Sequence, residues 1–215
     1  MAFIVRVGQL FVERQTFFLD LIGEHIMLSL IAIAWITVIG ITLGIYITRR
    51  KQAANFVLAM TNVLYTIPSI ALFGFLVSLT GIGNTSALIA LTAYGILPVI
   101  RNTYVGIEEV DPQILEAAIG MGSTDRQLLW KVQMPIALPV IIAGFRTMVV
   151  MTIALAGIAS FIGAGGLGVA IWRGITTNFT EMTVLGSLLV ALLAMGSDLL
   201  LGIIEKIIRR RVLGA

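Results

Sequence analysis

Apolar runs of membrane-crossing length dominate this chain, and they leave it very few ways to fold. About 20 consecutive apolar residues, rising 1.5 Å each as an α-helix, cross the roughly 30 Å hydrocarbon core of a bilayer. Five runs meet that length: 25–48, 53–80, 85–107, 135–159 and 182–204. The second carries Pro68, and the third carries Pro98 followed by Arg101. The expected fold is therefore an all-α membrane protein with five transmembrane helices. Residues 1–215 form a single transmembrane domain, with 1–22 as an amphipathic, peripheral lead-in.

Composition supports the same class. Hydrophobic residues make up 59% of the 215 and charged residues only 12%, against about 25% charged in soluble domains. Mean hydropathy is +1.05. The first twenty residues mix charge into their apolar run and lack a clean cleavage site, so a secretory signal peptide is not expected. With no cysteine and one histidine, there is no thiol chemistry and no cysteine-ligated metal. No catalytic or metal-binding residues are assigned.

The placement of Lys and Arg sets an orientation. Arg49, Arg50, Lys51, Arg126, Lys131, Lys206, Arg209, Arg210 and Arg211 fall on one side of a five-span chain, with Arg101 near its edge. Arg6, Arg14 and Arg173 fall on the other. Cytoplasmic segments carry the excess of positive charge, so the expected N-terminus is outside and the C-terminus cytoplasmic.

Between the third and fourth runs lies a polar island, 111–135, which that orientation places in the cytoplasm. Glu108, Glu109, Asp111, Glu116 and Asp125 gather in and beside it, with Arg126 and Lys131. Asp111 before Pro112 reads as a helix N-cap with proline at the first helical position. Glycine at 120 or 122 can end that helix. Thr124 with Gln127 matches a capping box for a second short helix, and Pro135 opens the next span. The pattern alone leaves two readings: an amphipathic loop on the lipid headgroups, or a docking element for a partner protein.

The island also carries a pattern of residues at fixed spacing. Glu116-Ala117-Ala118, then Gly122, then Val132-Gln133-Met134-Pro135 resembles the EAA loop of type I bacterial ABC importer permeases. It departs only in Val and Met where Ile and Leu are commoner. The resemblance implies that 111–135 is the cytoplasmic coupling loop and that Glu116, Ala117, Ala118 and Gly122 couple it to an ATPase. It implies as partners ABC ATPase subunits, a second identical or paralogous permease subunit, and a separate substrate-binding protein. ATP and Mg would belong to the ATPase, because no P-loop pattern occurs here and the chain itself needs no cofactor. The implied location is the bacterial cytoplasmic membrane, among its lipids, with no nucleic-acid partner.

A narrower resemblance spans about 20–205. Thr66-Ile67-Pro68-Ser69, the run 97–104 (LPVIRNTY) and the run 160–168 (SFIGAGGLG) are similar to the osmoprotectant branch. Its members import glycine betaine, carnitine, choline or related quaternary ammonium compounds. A methionine or other amino-acid permease would share the coupling argument and differ in cargo. An ion-coupled secondary transporter is the rival of another class, but such proteins often show an internal repeat, and none is evident.

Other residues invite a role inside the spans. Arg146 and Asp198 are ionisable groups within apolar runs, where each must face protein or water. Two roles are open to them: a pair holding helices in register, or a part in lining the path. Tyr65, Pro68, Tyr94 and Phe161 are candidates for the translocation path, since aromatic faces attract trimethylammonium groups. They are equally suited to plain helix packing. Gly40 and Gly44 suit a close helix contact, and 163–168 suits a close-packed turn at the outer end of the fourth span rather than a dinucleotide site. His25, at a run boundary, is expected to be interfacial.

Overall fold

Proline chemistry divides the second apolar run. In the computed structural model, which describes residues 2–213, this run is two helices, α3 (Lys51–Thr66) and α4 (Ser69–Thr80), bent by 99° at their junction. Pro68 has no N–H to continue the ladder and disfavours helical geometry in the residue before it. Ile67 accordingly sits extended, at φ −73° and ψ 126°. The single expected span is thus a pair of helices broken at Pro68.

The other runs are continuous helices. They are α2 (Gln15–Thr48), α5 (Asn84–Glu108), α8 (Met134–Ala159) and α10 (Thr180–Leu213). Among the described residues, four helices are long and apolar enough to cross a membrane, or five spans if the bent pair counts as one. A shorter α1 (Ala2–Glu13) precedes α2 and packs on α10 and α2. Because α2 begins at Gln15, it takes in residues assigned by sequence to the peripheral lead-in. No strand occurs among the described residues.

α5 is the axial element, packed on α2, α8, α4 and α3. Small residues bring its neighbours close. A Cβ on Gly40 would lie 2.8 Å from Val99, and one on Gly44 would lie 2.6 Å from Thr103. On the α8 side, a Cβ on Gly144 would meet Asn102 at 2.5 Å. Helices joined this tightly are held by van der Waals packing, which in lipid replaces the hydrophobic drive of water. The central core gathers Ile36, Phe73, Leu91 and Met148 from α2, α4, α5 and α8. A second cluster joins Leu10, Phe18, Leu167 and Met182 across α1, α2 and α10.

The bundle has two distinct ends. At one, the end of α2 meets the polar island, and Arg49 Nη2 donates to the Asp125 carbonyl at 3.2 Å. At the other, the start of α2 meets the turn after α8, where the Gly166 N–H donates to Glu24 Oε2 at 2.9 Å. The 26 residues of α8 separate the ends by about 39 Å at 1.5 Å per residue.

Candidate functional site

The polar island folds into a helical hairpin. Asp111 accepts from the Gln113 N–H at 2.8 Å and caps α6 (Pro112–Gly120), with Pro112 in its first turn. Gly122, at φ +84°, turns the chain, and the Ser123 N–H returns to the Ala118 carbonyl at 3.1 Å. Thr124 and Gln127 form a reciprocal capping box that starts α7 (Asp125–Gln127). A π-helical segment, Leu128–Gln133, then feeds directly into α8. Single-turn π segments of this kind are rare, and many sit at functional sites.

The hairpin has an inner and an outer face. Ala118 is buried, with Leu129 and Val110, where α6 packs against the π segment. Glu116 and Ala117 are exposed. So are Ile114, Ile119, Met121 and Trp130, and Met121 is 82% exposed. Sequence reasoning missed these four large apolar side chains. The signal for Ile114 and Met121 was the stripe Ile114, Ala117, Met121 at three- and four-residue spacing, which is a single helix face. Ala118, grouped with Ala117 in the sequence pattern, is buried where Ala117 is exposed.

At the broken span, the structure brings Tyr65, Pro68 and Tyr94 together. The Tyr94 hydroxyl donates to the Ile67 carbonyl, which the break has released from helical pairing. The Tyr65 hydroxyl contacts Met151 Sδ at 2.8 Å, and the two rings meet edge-on with centroids 5.9 Å apart. Tyr94 is buried while Tyr65 is partly open. Phe161 is not part of this group. It lies in the turn after α8 and packs on Trp172 of α9 (Gly168–Thr176) at 4.7 Å.

Arg146 of α8 reaches α10. Its Nε and Nη2 donate to the two carboxylate oxygens of Asp198 at 2.5 and 2.7 Å, a bidentate pair. Its Nη1 donates to Glu205 at 3.1 Å. Asp198, Gly202 and Glu205 share one helix stripe, and a Cβ on Gly202 would sit 3.2 Å from the guanidinium carbon. Glu205 was legible only through that seven-residue spacing from Asp198. One cation and two carboxylates leave the cluster one negative charge in excess, and all three side chains are partly exposed. A face of this kind cannot lie against hydrocarbon.

The turn at the far end is closely tied. Gly163 is left-handed at φ +79°, and the Gly83 N–H donates to the Ile162 carbonyl at 2.9 Å. The Gly165 N–H donates to Asn84 Oδ1 at 3.2 Å. Gly166, at φ +93°, packs directly on His25. His25 is fully buried, not interfacial, and its Nε2 bonds the Ile153 carbonyl at 3.0 Å. The reason is that α2 starts ten residues earlier than the apolar run does, so His25 lies inside the packed helix.

Comparison with known proteins agrees with this architecture. The family described as "binding-protein-dependent transport system inner membrane component" matches residues 36–214. The carnitine transport permease protein OpuCD of Listeria monocytogenes is 39% identical over 184 residues, covering 85% of this chain and 82% of that protein. The glycine betaine/carnitine/choline transport system permease protein OpuCB of Bacillus subtilis is 39% identical over 184 residues, covering 86% and 85%. Among solved structures, an inward-facing form of the MetNI methionine ABC transporter aligns with a TM-score of 0.78. That match has 22% identity and covers 89% of this chain and 95% of that one. It shows a shared fold.

Proposed function

This chain belongs to the family of binding-protein-dependent transport inner membrane components, and we propose that it imports quaternary ammonium osmoprotectants as the permease subunit of an ABC transporter. The observation that carries the cargo class is the 39% identity, over most of both chains, to permeases named for carnitine, glycine betaine and choline. The methionine transporter shares the fold at only 22% identity. The chain's own part is to form a path, not to carry out chemistry.

In this reading, the hairpin is the cytoplasmic coupling element. The ridge of Ile114, Ala117 and Met121 on α6 offers a slim apolar edge, with Glu116 on another side of the helix, to a groove on an ATPase subunit. Gly122 and the capping box hold its angle, while Ala118 fixes the hairpin to the π segment. Closure of an ATPase dimer would draw two such hairpins together, and α8 would transmit the movement because the π segment joins it without a loop. The ATPase binds ATP and Mg, and its closed state favours one permease conformation over the other. That difference in affinity is the work done on the transport cycle.

The path would run between this subunit and a second permease subunit. The broken span supplies Tyr65, Pro68 and Tyr94 as one wall element, because irregular backbone at membrane depth is tolerated where it lines a cavity or is buried in protein. The Arg146–Asp198–Glu205 cluster belongs against the partner subunit or the watery path. A separate binding protein delivers cargo at the outer end, with the N-terminus outside and the C-terminus in the cytoplasm.

Uptake of radiolabelled glycine betaine tests this in proteoliposomes that hold the permease, its ATPase and permease partners, and the binding protein. ATP-dependent uptake blocked by excess carnitine or choline is the expected result. ATP hydrolysis stimulated by the loaded binding protein, with no osmoprotectant transported, would keep the coupling account and discard the cargo.

A further inference from the structure

A cavity lies at the end remote from the hairpin. It measures about 700 Å³ and is walled by Gly74 and Val77 of α4, Ile82, Gly163, Phe161 and Trp172. Two of these are aromatic rings 4.7 Å apart, tilted at 44°, and both are part-exposed: Phe161 is 39% and Trp172 44% exposed. Open ring surface beside a cavity is available to an occupant.

The chemistry of the wall selects that occupant. Ser160 is its one hydroxyl side chain, and it is already committed to the Gly157 carbonyl at 3.1 Å. A ligand that needs hydrogen-bond donors or acceptors therefore finds few here, whereas a trimethylammonium group leaves no hydrogen bond unmade, and ring faces can offset part of its lost hydration. Both signs of charge lie near the turn. Arg173, next to Trp172, is stacked over Phe17 at 5.5 Å. On the other side of the same turn, a second cavity of about 460 Å³ shares Gly163 and Gly165 and includes the Glu24 carboxylate. The Glu24 carboxylate thus lies across the glycine turn from the cavity that holds the aromatic pair.

The turn also makes the platform rigid. Its N–H groups are held by Asn84 and Glu24, and Gly83 ties it to the start of α5. A cation–π site needs ring faces that stay in place, because the attraction falls away beyond about 6 Å from the centroid. We propose that Phe161 and Trp172 form an aromatic platform that receives the trimethylammonium head of the cargo at the end of the permease opposite the hairpin. This rests on the osmoprotectant reading above and adds a low-affinity receiving site, with Trp172 as its second wall.

The test uses the assembled transporter with its ATPase, permease and binding-protein partners in proteoliposomes. Trp172→Leu keeps apolar bulk and removes the ring face, and Trp172→Phe restores a ring. Carnitine uptake at limiting substrate should fall about tenfold in Trp172→Leu, the range expected for desolvated cation–π contacts. Trp172→Phe should recover at least half, and ATP hydrolysis stimulated by the loaded binding protein should persist in both. Wild-type uptake in Trp172→Leu, or equal loss in the two variants, would overturn the platform. No osmoprotectant uptake by the wild type would instead overturn the reading on which it rests. Should Trp172→Leu fail to assemble, Trp172 fluorescence can be read in a Trp35→Phe, Trp130→Phe background. A saturable response to tetramethylammonium chloride, absent with sodium chloride and lost in Phe161→Leu, supports the site. Identical responses to the two salts would end it.

Discussion

The two ends of the bundle use glycine in opposite ways. Gly122 in the hairpin and Gly166 in the far turn both have positive φ, +84° and +93°. A Cβ on Gly122 would meet nothing within 4 Å, whereas one on Gly166 would press on His25 at 3.0 Å. The hairpin glycine turns a chain that stands clear of the protein. The far-turn glycine lets backbone sink into the interior, where α2, α5 and α8 converge. One end stands clear of the fold, and the other is embedded in it.

Substitutions should divide along that line. Gly166→Val forces a branched side chain into both an unfavourable φ and the His25 contact. We expect a near-complete loss of folded, detergent-extractable protein, read by size-exclusion chromatography. A normal yield would show that the turn is not embedded. Ala117→Trp places a large ring on the outward face of α6, so membrane insertion should be unchanged while ATP-driven uptake falls at least about tenfold, as for a residue central to an interface. Retained uptake would remove the hairpin from the coupling role.

Between the ends, the Arg146 cluster tests whether α8 and α10 move as one. Arg146→Met leaves two carboxylates facing each other without their cation, so folded protein should drop several-fold. Adding Asp198→Leu alone still strands Glu205. Only the triple variant Arg146→Met, Asp198→Leu, Glu205→Gln should recover the yield, because breaking an ion network by one partner harms more than removing it whole. The smallest effect belongs to Gly122→Ala, where only backbone strain is added. A cost of about 1 kcal/mol should barely change thermal stability and should reduce uptake about twofold or more by shifting the angle of the hairpin.

How far the sequence revealed this structure depends on distance along the chain. The Asp111 cap, the Thr124–Gln127 box and the break at Pro68 are decided by neighbours within four residues, and all three appear as read. Gly40 and Gly44 likewise announced a close helix contact by their spacing, although not that α5 would fill it. The failures are long-range. His25 is buried because residues 128 positions later come to rest on it. The inward face of Ala118 depends on how the hairpin folds back onto the π segment. Trp172 drew no notice because its partner ring, Phe161, and the cavity beside it exist only once α9 folds under the turn.

Cysteine accessibility tests the account most directly, since the chain contains no native cysteine. Met121→Cys places a thiol at the exposed hairpin, and Ile82→Cys places one at the opposite end, where Ile82 is 78% exposed. Each is treated with a membrane-impermeant maleimide in intact cells and again after permeabilisation. Labelling of Ile82→Cys in intact cells, with Met121→Cys labelled only after permeabilisation, is the result expected of a cytoplasmic coupling hairpin and an external receiving end. The reverse pattern, or labelling of both in intact cells, would contradict it.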